Sequence, residues 1–189
     1  MKITKRKALF ALLGGIVAAE IGLWRATPAW EVERATAIDA APERVWALLS
    51  DFEGYASWNT YTPHVSGALQ EGAIVRSRGH LGSLQFDVNN LVTSVVPGRR
   101  LCWRSQNWYR SLVWGTRCRT VEARGAAAVI HHHEIFEGPL SWLIERALRG
   151  RIERGIETHD RDLKRAAEGP LHSRGAERRA AAPTPSDPR

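Results

Sequence analysis

Between His64 and Glu137 the chain contains no helix-period segment, and turn signals at Glu71-Gly72, Gly79 to Gly82, Pro97-Gly98 and Arg124-Gly125 cut it into about six strand-like pieces. Strands spaced this closely leave no room for crossover helices, so they pair as an antiparallel meander. At Pro139 the periodicity changes. Leu140, Ile144, Leu148, Ile152 and Ile156 recur at every fourth residue, and Leu143, Ala147, His159 and Leu163 widen the stripe, which predicts one long helix ending near Glu168. Gly150 and Gly155 interrupt it, each at a cost of about 1 kcal/mol relative to alanine. They mark either a bend or close approach, or positions that face solvent.

Ahead of the meander, Glu31 to Ile38 alternates as a first strand, with Val32, Arg34, Thr36 and Ile38 on one face. Pro42 and Glu43 suit a helix start, and Val45, Trp46, Leu48 and Leu49 give that short helix an apolar stripe. Tyr55 to Asn59 adds one more turn. The sum is an α+β helix-grip fold: a curved antiparallel sheet of about seven strands wrapped around a long C-terminal helix, with two short helices after strand 1. Such an architecture leaves an internal cavity.

Three stretches, "ATAIDAAPERVWALLSDFEGYASWN", "VTSVVPGRRLCW" and "HHHEIFEGPLSWLI" leading to "LKRAAE", resemble the START-like (SRPBCC) polyketide cyclase/dehydratase and lipid-transport family. The first is the most specific. The resemblance implies a cavity for a hydrophobic small molecule or lipid, which the domain binds for transport or sensing. The alternative it implies is a polyketide cyclase or dehydratase. It also places Trp58, Asn59 and Tyr61 at the cavity mouth.

Eight tryptophans exceed what a core of this size needs. Trp58, Trp103, Trp108 and Trp114 fall where they can face a ligand, whereas Trp46 and Trp142 read as core. The ligand-contact set is Trp58, Asn59, Tyr61, Phe86, Trp103, Trp114, Phe136 and Leu143. His131 and His133 share one strand face, and with Glu134 they are the candidates for proton transfer, because imidazole titrates near neutrality. His131 and Glu134 point to opposite faces, which favours a non-catalytic carrier. No spaced metal motif accompanies the histidines, so no metal or other cofactor is expected. Arg76 with Arg78, and Arg117 with Arg119, form same-face pairs that could hold a carboxylate or phosphate head group, although outer-face charges are the usual explanation. A hairpin centred near Arg110 pairs residues whose numbers sum to 220, which sets Cys102 opposite Cys118. Two readings stay open there, a disulfide in an oxidising compartment or two buried thiols.

The formal net charge of +7 suggests a nucleic-acid partner at first sight. Residues 1–30 carry five basic side chains against one acid and residues 169–189 four against two, which leaves the body at +1. No basic stripe remains, which argues against a nucleic-acid partner. Residues 1–30 read as a targeting segment: Lys2, Lys5, Arg6 and Lys7 precede the run Ala8 to Trp24, apolar except for Glu20 and about 26 Å long as a helix. The preferred reading is a single-pass membrane anchor through residues 8–24. A signal peptide cut after Ala19 or Ala29 is the alternative. Cations before the run, with Glu31 and Glu33 after it, keep the N-terminus cytoplasmic and put the domain on the periplasmic or outer side. Residues 31–168 form the folded domain, and 169–189 read as a disordered tail.

Overall fold

The computed structural model describes residues 14–15, 29–107 and 112–170. Seven antiparallel strands form one sheet: β1 Trp30–Ile38, β2 His64–Ser66, β3 Ile74–Leu81, β4 Leu84–Val96, β5 Arg100–Ser105, β6 Trp114–Arg124 and β7 Ala127–Glu137. Their order is β1-β7-β6-β5-β4-β3-β2. β2 to β7 meander as the turn signals require. After β1 the chain crosses to the opposite edge through α1 (Pro42–Ser50) and a 3-10 turn (Glu53–Ser57). β1 itself pairs with the last strand, Trp30 opposite Phe136 and Ile38 opposite Ala128. Helix α2 (Ser141–Glu168) fills the concave face. This is the α+β helix-grip fold.

Local chemistry sets the boundaries. α1 begins with Pro42 and Glu43, buries Val45 and Leu49, and ends where Ser50 returns its hydroxyl to the Trp46 carbonyl at 2.8 Å. The β3–β4 turn is tighter than the glycine spacing suggests. Gly79 stays inside β3, where a Cβ would overlap the Phe86 ring, and the reversal is made by Gly82 at φ +67°. β1 starts one residue earlier than the alternation shows. Trp30 stacks on Phe136 at 4.3 Å and donates its indole N–H to the Ser141 carbonyl at 2.9 Å, tying the first strand to the start of α2.

The concave face is built from cross-strand pairs of β6 and β7: Gly115 with Phe136, Arg117 with Glu134, Arg119 with His132, Val121 with Ile130. At the far pole Val121, Ile130, Ile38, Val45, Leu49 and Leu163 make a dry cluster. At the near pole Trp30, Ile152 and Ile156 make another. Two polar layers lie between them.

Several expectations are corrected. Trp142, Leu143 and Ala147 face solvent rather than the core, because α2 turns its Ile144, Leu148 and Ile152 side inward. Arg117 and Arg119 point into the domain, not out of it. Residues 8–24 lie outside the described residues apart from Gly14 and Gly15, as do Trp108 and residues 171–189. Among the described residues no helix is long and apolar enough to cross a membrane.

Candidate ligand cavity

At the near pole, between the sheet and the first half of α2, lies a cavity of about 230 Å³. Its wall is mostly apolar, with Leu81, Phe86, Trp103, Trp114, Phe136, Ile144, Leu148 and Ile152 among the lining residues. Tyr61 reaches it because Asn59 accepts the backbone N–H groups of Tyr61 and Thr62 at 3.1 and 2.8 Å, and Asp162 of α2 accepts the backbone N–H and the hydroxyl of Thr60. Gly155 lets α2 press against the Tyr61 ring, since a Cβ there would overlap it.

Thr62, Ser77, Asn90 and Ser105 add neutral polar atoms to the wall, and one charged patch interrupts it. Arg117 donates Nε and Nη2 to Glu134 Oε2 at 3.0 and 2.7 Å, and Nη2 also lies 3.4 Å from the Tyr61 hydroxyl. The guanidinium stands 5.5 Å over the Tyr61 ring. Burial opposes the charge of Arg117, but Glu134 and Tyr61 outweigh it and hold its pKa above the ordinary arginine value. Burial pushes the Tyr61 phenol up, so it remains a hydrogen-bond donor.

Below the cavity lies the second polar layer. His132 and His159 each set Nδ1 3.1 Å from Asp160 Oδ1, and the Thr36 hydroxyl donates to Oδ2 at 3.3 Å. A carboxylate shared in this way fixes both rings as Nδ1–H tautomers. Burial drives both imidazoles toward the neutral form, His159 to about 3 and His132 well below its usual value, with Arg119 adding to the effect. Arg119 lies 4.7 Å over the Trp103 ring, and its Nε and Nη2, both histidine Nε2 atoms and Trp58 Nε1 have no hydrogen-bond partner among the described residues. His132, His159 and Asp160 bring ligand atoms within 4.8 Å of one another. A buried guanidinium beside them opposes a divalent cation.

Of the residues read from sequence, Tyr61, Phe86, Trp103, Trp114 and Phe136 line the cavity together with Glu134. Trp58 packs instead on Tyr55 and His159, Asn59 shapes the turn, and Leu143 is exposed. His131 and His133 lie on the convex face, bonded to Glu122 and Glu31 at 2.7 and 2.9 Å, and not in the cavity. Arg117, which the sequence offers as an anion holder and more readily as an outer-face charge, lines the cavity instead and is bonded to Glu134. Cys102 and Cys118 are register partners on the convex face and are disulfide-bonded.

A helix grip around a largely apolar cavity with one internal charged pair defines the class: a domain for hydrophobic small molecules. The chain belongs to the polyketide cyclase / dehydrase and lipid transport family, whose model matches residues 29–168. No curated protein matches the sequence. Among solved structures it is similar to the ZhuI aromatase/cyclase from Streptomyces sp. R1128, with 17% identity, TM-score 0.63 and coverage of 75% of this chain and 94% of that one. Truncated norcoclaurine synthase from Thalictrum flavum gives 10%, 0.58, 76% and 96%. Major latex-like protein 151 from Panax ginseng gives 8%, 0.59, 75% and 99%. At these identities the likeness is one of fold.

Proposed function

We propose that the domain binds a mostly apolar small molecule or lipid, with one polar group set against Arg117, Glu134 and Tyr61, and carries or senses it without turnover. The observation that carries this reading is the Arg117–Glu134 pair with Tyr61, the charged patch in a wall whose other polar side chains are neutral; it orients one end of a ligand and leaves the rest mostly packing. The cavity is smaller than the roughly 300–1,000 Å³ usual for drug-sized ligands. A compact ligand, or one end of a longer one, suits it.

The alternative is catalysis of the cyclase or dehydratase kind, favoured by a phenol and a carboxylate facing the same space. Against it, Oε2 of Glu134 is already engaged by two N–H groups of Arg117. Residues 8–24 anchor the domain outside the cytoplasmic membrane in this reading. The disulfide supports an oxidising compartment. The alternative of secretion after signal cleavage is separated from it by the mass of the mature chain.

The test is native mass spectrometry of the full chain purified from membranes, with extraction of whatever it retains. An apolar molecule that is retained unchanged, and lost in the isosteric pair Arg117→Met with Glu134→Leu, is the expected result. Replacing both members keeps the layer packed, whereas removing one leaves an unpaired buried charge. Chemical conversion of the extracted molecule on incubation would replace carriage with catalysis.

A further inference from the structure

Six large hydrophobic side chains are exposed among the described residues, and four of them gather at the pole where the cavity ends. These are Leu84 at the start of β4, Leu112 just before β6, and Trp142 and Leu143 in the first turn of α2, with 49, 41, 52 and 45% exposure. The Leu140 N–H donates to the Leu112 carbonyl at 2.9 Å, which holds Leu112 beside the helix start. Leu81, Val113 and Ile144, each next to one of these segments, line the cavity. The exposed patch is thus the outer rim of the ligand site.

Arginines border it. Over residues 141–154 four arginines stand against two glutamates, and Arg149 takes both of those, Glu145 at 2.6 Å and Glu153 at 2.9 Å. Arg146, Arg151 and Arg154 are exposed without a carboxylate partner among the described residues. Trp142, Leu143, Arg146 and Arg154 share the outward side of α2, because residues three and four apart stack on one face. Arg151 and Arg154 form a groove with His80 beside the β3–β4 turn. The first residue of β1 is at this pole as well, where Trp30 bonds to Ser141. Residues 25–29 alone separate it from the run ending at Trp24, six Cα–Cα steps with a reach of at most about 22 Å.

We propose that this pole docks on a lipid bilayer containing anionic lipid. Leu84, Leu112, Trp142 and Leu143 enter the interface, Arg146, Arg151 and Arg154 meet phosphate head groups, and the cavity's outer end faces the acyl chains. The inference rests on the ligand-binding reading above, and it uses the anchor without requiring it. An apolar patch bordered by uncompensated cations favours a negatively charged bilayer over a second copy of the chain, whose own cations would meet these.

The test uses the full chain carrying Leu143→Cys labelled with a nitrobenzoxadiazole dye; the native cysteines are bonded to each other and do not compete. Ala126→Cys, in the β6–β7 turn at the opposite pole, is the control. Vesicles are phosphatidylcholine with or without one third phosphatidylglycerol. A several-fold rise and blue shift of emission at position 143 but not 126, stronger with phosphatidylglycerol and lost with Arg146→Glu plus Arg154→Glu, is expected. Flotation of the same samples reports anchoring separately. A chain that floats while dye at 143 stays wet overturns docking and leaves the anchor standing. A wet dye without flotation overturns both. A shift that needs no vesicles and grows with protein concentration assigns the patch to a second copy and overturns the proposal.

Discussion

His132 and Glu134 face the interior because they share the parity of Ala128, Ile130 and Phe136 on β7. The signal was in the sequence. Three consecutive histidines hide which parity is inward, but the apolar residues on either side reveal it. Arg117 and Arg119 follow the same rule through Val121 on β6. Charged side chains at inward positions read as outer-face residues until the register supplies a partner, as it does for Arg117 and Glu134. The neutral imidazoles have a consequence for acid stability. His159 is held at about 3, whereas in an unfolded chain it titrates near 6.5. The unfolded state therefore binds more protons between those values, and stability falls as pH drops through that window. The expected slope is about 1.4 kcal/mol per pH unit from this imidazole alone, with His132 acting in the same direction. Urea denaturation from pH 7 to pH 4 measures it, and His159→Phe should flatten the curve. An unchanged slope in that variant would place the acid sensitivity elsewhere.

Helix α2 shows how far periodicity reaches. The fourfold spacing from Leu140 to Ile156 identified its inward side, and Ile144, Leu148, Ile152 and Ile156 all pack inward. The wider stripe ends short of the helix N-terminus, where Leu143 and Ala147 are exposed. Hydrophobicity alone cannot separate a residue that packs in the core from one kept exposed. The two glycines of α2 also part company. At Gly150 an added Cβ meets only the tip of Arg154, at 3.4 Å, whereas at Gly155 it overlaps the Tyr61 ring. Gly150→Ala should therefore stabilise the domain by up to about 1 kcal/mol through helix propensity. Gly155→Ala should destabilise it by about 1–3 kcal/mol, partly offset by the same propensity gain, and should narrow the cavity. Thermal melts of the two variants, run side by side, check both signs.

For the molecule as a whole, the meander, the long helix and the helix-grip plan were all legible, because turn residues and a change of period are local signals. The cavity's polar patch was not, since it depends on which strands meet across the sheet. β1 and β7 are joined in space although most of the domain separates them in sequence. The disulfide between Cys102 and Cys118 joins neighbours instead, on either side of the β5–β6 connection. A protease that cuts that connection once leaves two fragments still covalently tied, each carrying strands that the other completes. Such a nicked molecule should keep its circular dichroism spectrum and run as one band without reductant and two with it. In this protein a broken backbone at the β5–β6 tip is not a broken molecule.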